Sequence, residues 1–160
     1  MDEKALADLE FPRVLQLLSA ETATPPGAAL AAALRPRTEP AEVKQENDLT
    51  GEAARYLQDH GALPFGTLLD PLPLLIRLEL DGTTLEPPDI IELLSAMKCG
   101  RSLKTALTEV RAAYPRLWDL ARDLPDLGNL VRFLDGKIAA SGEVLDHASD
   151  DLRSLRRELQ

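Results

Sequence analysis

Helix-boundary signals recur along this chain at short intervals, and they constrain its fold more than any other feature. Thr24-Pro25-Pro26, Thr38-Glu39-Pro40, Asp70-Pro71 and Pro87-Pro88-Asp89 each pair a polar or acidic residue with a proline that a first helical turn accepts. Gly61 and the pairs Arg35-Pro36 and Tyr114-Pro115 read as stops. Between these marks the apolar residues recur at helical spacing. The expected helices are a short one ending near Leu9, one with Pro12 in its first turn, and one over Ala28–Leu34. Others follow from Pro40 to about His60, around Leu72–Leu78, from Pro87 to about Ala113, around Leu117–Leu120, and from Leu127 to about Ala139. A last helix starts after Ser149. Gly61–Gly66 reads as an apolar loop lying against the core. Ser141–Asp146 reads as a turn-rich connector with a short extended piece at Val144 and Leu145. No segment alternates as a strand would, so the expected fold class is all-α.

Composition supports that reading. Aromatic residues are only 4% of the 160, so leucine and alanine must build the core, and both favour helix. No run of 18 apolar residues exists, which removes a membrane-spanning helix. The acidic Met1-Asp2-Glu3-Lys4 start lacks the apolar stretch of a signal peptide. A single cysteine, Cys99, fits a reducing compartment, and the expected location is cytoplasmic. The net charge is −9, and the acids are unevenly placed: residues 1–60 carry 11 acids against 6 bases, whereas residues 101–160 carry 10 of each. Such a balance does not suit gripping nucleic acid through phosphate neutralisation by the chain alone.

No residue stands out as catalytic. Cys99 has no histidine near it in sequence, and a small core role suffices for it. His60 precedes Gly61 at a helix C-terminus, where its charge suits the dipole. His147 beside Asp146 is a weak pairing signal. Asp150 and Asp151 suit a helix start better than a metal site, which needs oxygens converging from several positions. Trp118, among Leu117 and Leu120, reads as core rather than as a base-stacking platform. Arg153, Arg156 and Arg157 form the chain's basic cluster. They could touch phosphate, but Asp150, Asp151 and Glu158 are at hand to pair with them. No phosphate loop, nucleophile elbow or zinc motif occurs, so the expected catalytic, cofactor-binding and metal residues are none.

Four stretches carry a family resemblance. They are Leu9-Glu10-Phe11 with Val14-Leu15-Gln16-Leu17-Leu18; Thr24-Pro25-Pro26-Gly27-Ala28-Ala29-Leu30 running to Leu34-Arg35-Pro36; Gly61-Ala62-Leu63-Pro64 with Leu85-Glu86-Pro87; and Ser141-Gly142-Glu143-Val144-Leu145-Asp146-His147-Ala148-Ser149 with Leu152, Arg153 and Arg156. In this order they resemble the N-terminal region of the bacterial MutS-II family, over about residues 5–160. The resemblance implies a helical bundle like the MutS core domain over residues 1–148. Residues 149–160 then correspond to the start of a long lever helix, cut short. It also implies a dimeric DNA-binding ATPase parent, using ATP and Mg, with a C-terminal Smr endonuclease domain. The parent's implied role is suppression of homologous recombination, with ribosome association in some bacteria. The clamp, phosphate loop and Smr motifs are absent from this sequence, so no functional residue carries over. The expectation is an inert scaffold piece that meets DNA only through the parent's other regions. Two alternatives stand beside it: an acidic helical module docking a basic partner, such as a ribosomal protein or another subunit, and a small enzyme built on Cys99 or the acids.

Overall fold

A computed structural model of the chain describes residues 3–66 and 68–158. Met1, Asp2, Thr67, Leu159 and Gln160, including the expected continuation of the last helix, lie outside the described residues. The chain is all-α. Its helices are α1 (Glu3–Asp8), α2 (Phe11–Ala20), α3 (Pro25–Ala32), α4 (Pro40–His60), α5 (Leu72–Leu78), α6 (Pro87–Glu109), α7 (Pro115–Ala121), α8 (Gly128–Leu134) and α9 (Asp150–Glu158). A 3-10 turn, Asp146–Ala148, precedes α9.

Contacts divide the chain into two units. The first comprises Met1–Asp70 and Leu103–Asp123, the second Pro71–Ser102 and Leu124–Gln160, with the division falling inside α6. In the first unit α1 packs on α2, α2 on α3, and α4 on α7. Its buried residues are Ala31, Glu52, Tyr56, Leu107, Tyr114, Leu117 and Ala121. In the second, Leu74, Cys99 and Val131 are buried, and the turn Asp146–Ala148 packs on α9. Across the described residues no large side chain is fully buried.

Local chemistry explains most boundaries. Thr24 takes an extended backbone, and its hydroxyl accepts the Gly27 N–H at 3.2 Å, capping α3 ahead of Pro25 and Pro26. Ser149 Oγ accepts the Leu152 N–H at 3.1 Å and caps α9. Gly61 ends α4 at φ 79°, a conformation that glycine adopts without strain. Helix α2 starts from Glu10 at φ 53°, a left-handed residue that lets the chain turn sharply between α1 and α2.

Three boundaries differ from the expectation. Helix α5 starts at Leu72 with Pro71 at the N-cap position, one residue later than Asp70. Helix α6 stops at Glu109, and residues 110–113 form turns. Helix α8 stops at Leu134 rather than near Ala139. Asp135 is extended, Gly136 takes φ 76°, and Ile138 forms an antiparallel bridge with Val144. The Leu145 N–H donates to Lys137 O at 2.9 Å and the Ala139 N–H to Glu143 O at 2.8 Å, closing a small hairpin. Lys137, Ile138 and Ala139 have helix-compatible side chains, but the glycine before them lets the hairpin ladder take their backbone groups. The extended piece expected at Val144 is the other arm of that hairpin.

Candidate functional site

Among the described residues, two side-chain clusters and the exposed apolar surface are the candidates for a function. The first cluster joins α4 to α7. Glu52, only 3% exposed, accepts the Leu117 backbone N–H at 2.8 Å. Tyr114 Oη donates to Asp59 Oδ2 at 2.5 Å. Tyr56 and Tyr114 meet edge to face at 5.3 Å, and the His60 ring lies tilted against Tyr56 at 5.0 Å and edge-on to Tyr114 at 5.5 Å. At the cluster's outer edge Asp48 accepts from Lys44 at 2.9 Å and from Arg116 at 2.8 Å. The Lys44 hydrogen bond, reinforced by the charges of Lys44 and Arg116, holds the Asp48 carboxyl below its ordinary pKa. Donation to Asp59, with burial, pushes the Tyr114 phenol above its own.

These groups are satisfied by one another. Among the described residues no buried side-chain nitrogen or oxygen lacks a partner. The cluster therefore serves as a polar clasp between two helices.

The second cluster lies in the other unit, where the turn Asp146–Ala148 meets α9. Asp146, His147, Arg153, Arg156 and Arg157 line an open hollow of about 300 Å³. Arg156 is paired with Asp146, and Arg153 with Asp150 at 3.4 Å. The sequence placed the three arginines on one side of the last helix. The structure adds His147 to their surroundings, a residue distant enough in sequence that helical spacing could not join it to them.

The remaining candidates separate. Cys99 is buried in α6, and burial raises its thiol pKa, the opposite of what a nucleophile needs. Trp118 is half-buried on α7. Asp150 and Asp151 occupy the first turn of α9. No group of three or more potential metal ligands converges among the described residues, and no described helix is long and apolar enough to cross a membrane.

Sequence reasoning missed Glu52. On the sequence alone, Val43, Leu49, Ala53, Tyr56 and Leu57 make an incomplete apolar stripe along α4. In the structure Leu57 is 52% exposed, while Glu52 turns inward one helical turn before Tyr56. The available signal was that four-residue spacing from an aromatic residue on the packed face.

The last feature is apolar surface. Val14, Leu17 and Leu18 on α2, Leu30 on α3, and Leu34 just beyond it are all more than 40% exposed. So are Leu72, Leu75 and Ile76 on α5, and Leu130 and Phe133 on α8. Single exposed leucines are ordinary, whereas neighbouring ones on α2 and α3, on α5 and on α8 leave apolar surface open on each of these helices.

The chain was compared with known proteins. No family model matches it. It is 34% identical over its whole length to Endonuclease MutS2 of Bacillus velezensis, 32% to that of Symbiobacterium thermophilum and 33% to that of Geobacillus kaustophilus. It spans about a fifth of the length of these curated relatives: 21%, 20% and 21% respectively. Along its whole length, then, this all-helical chain resembles a region of the proteins named Endonuclease MutS2.

Proposed function

We propose that the chain is the N-terminal helical scaffold of a MutS2-like protein, a part that performs no reaction itself. In this reading residues 1–148 form the core against which the rest of such a protein packs, and residues 149–160 begin its lever helix. ATP and Mg, DNA contact, a homodimeric state, recombination control and ribosome association belong to the parent's other regions. The chain sits in the cytoplasm with them. The observation that carries the reading is the full-length match to a fifth of proteins named as endonucleases. The exposed leucines of α2, α3, α5 and α8 support it, because a scaffold shows apolar faces where its neighbours dock.

The test is direct. The purified 160-residue chain is assayed for ATP hydrolysis and for cleavage of plasmid and branched DNA with Mg present. The scaffold reading expects no turnover above buffer, and robust hydrolysis of either substrate overturns it.

A second reading is a module that docks a basic partner, which calls for acids beside an apolar groove. A groove of about 470 Å³ runs along Leu30, Ala33 and Leu34 and is bordered by Glu39 and Glu42. Arg35 and Arg37 line the same groove, so its acids and bases balance, and Arg37 pairs with Glu42 and Glu46. A basic peptide that binds the chain and is released by Glu39→Gln with Glu42→Gln would establish this reading. Binding unchanged by those substitutions would remove it.

A further inference from the structure

We propose that the hollow between the turn Asp146–Ala148 and helix α9 is a seat for a phosphate group, held by Arg153, Arg157 and the imidazole of His147. The inference goes beyond the scaffold reading and does not depend on it. A scaffold without this seat would remain a scaffold.

Charge and geometry carry the argument. Three arginines and one aspartate line the hollow, so it holds a net charge of +2 within a chain whose overall charge is −9. The aspartate is engaged: Asp146 is paired with Arg156, which fixes that guanidinium at the wall. The other carboxylates near α9 are Asp150 and Asp151 in its first turn and Glu158 at its end, and none of them lines the hollow. Arg153 reaches Asp150 at 3.4 Å, with the carboxylate 96% exposed. A pair so long and so wet is weak, and a doubly charged oxyanion competes for the guanidinium with shorter, charge-assisted bonds. No ion pair joins Arg157 to another described residue. Arg153 and Arg157 are four residues apart on one helix face, close enough for both forks to reach a single tetrahedral anion. A volume of about 300 Å³ accommodates a phosphate with water around it. Apart from the His147 ring the lining is charged, with no apolar side chain to hold a sugar or an acyl chain, so the recognised chemistry is the phosphate itself.

A phosphate can arrive free or as part of a nucleic-acid strand, and two titrations distinguish these sources. Inorganic phosphate is titrated against chloride at matched ionic strength, with the arginine side-chain N–H signals followed by NMR. A fluorescent 20-nucleotide strand is titrated by anisotropy at several salt concentrations. Phosphate is expected to move the Arg153 and Arg157 signals. Arg153→Gln with Arg157→Gln is expected to weaken phosphate binding at least about tenfold. For a strand, binding at low salt is expected to lose about 0.7 in the slope of log K against log salt for each contacting cation removed. Phosphate binding without strand binding assigns the seat to a free phosphate, and binding of both assigns it to the strand.

The control removes the same charge elsewhere, with Arg111→Gln and Arg122→Gln, and far-UV circular dichroism verifies that both variants stay helical. Equal losses in the two variants would mean general charge rather than a site, and would overturn the proposal. So would the absence of binding by both ligands at low salt.

Discussion

Leu117 lies in the first turn of α7, where a backbone N–H has no acceptor four residues back within the helix. Tyr114, at the N-cap, supplies no side-chain bond, and Glu52 reaches across from α4 to do so at 2.8 Å. Removing that acceptor leaves a buried donor unpaired. Glu52→Ala is therefore expected to destabilise the chain by about 1–3 kcal/mol, and Glu52→Gln, which keeps a carbonyl oxygen, by less. Urea unfolding followed by circular dichroism measures both, and equal losses would show that the carboxylate's charge, not its acceptor, matters. Tyr114 provides a second test. Its phenol donates to Asp59, which favours the neutral form, so its folded pKa lies above its unfolded one. The stability this contributes is present at neutral pH and is lost as the pH rises from about 10 through the folded pKa. In a difference titration of the 295 nm phenolate absorbance, the signal removed by Tyr114→Phe is expected to be the late-rising part. Loss of an early-rising part would show that the hydrogen bond does not hold in solution.

At the scale of elements, side chains that act on their own turn were legible and partners from afar were not. Thr24 before two prolines specified a cap within four residues, and the structure has that cap. Thr24→Ala is expected to cost about 1 kcal/mol, while Thr24→Ser keeps the hydroxyl and costs much less. A thermal melt of the two variants checks the order. Ser149 was legible for the same reason. Helix α8 was not, because Leu130, Val131, Leu134 and Ile138 continue a helical spacing through a point where the backbone leaves the helix. Ile138 keeps its place in that pattern yet pairs with Val144, six residues on and across a turn. An apolar period records which side chains seek burial and is silent on which backbone groups will pair. Glu52 was hidden similarly, since its partner is 65 residues away. The basic hollow was half legible: its arginines share one helix, and its histidine comes from a separate turn.

At the scale of the whole chain, the question is which apolar residues serve this chain's own fold and which serve something else. A leucine that packs a core loses several kcal/mol when truncated, whereas one that faces water changes stability by no more than about 0.5 kcal/mol. Leu107 is 5% exposed and belongs to the first group, and Leu30, at 73%, belongs to the second. The scaffold reading thus predicts a separation of effects. Leu17→Gln with Leu30→Gln is expected to leave the urea midpoint nearly unchanged while lowering the binding of an apolar dye such as ANS and any concentration-dependent association seen in sedimentation. Leu107→Ala is expected to lower the midpoint sharply. If the two exposed leucines proved as costly as Leu107, they would be packed in solution within the chain itself, and the surface assigned to a covering polypeptide would not exist. On the scaffold reading, the same leucines are where the rest of a MutS2-like protein would pack. A protein extended through those regions should then lose the dye binding without any substitution at all.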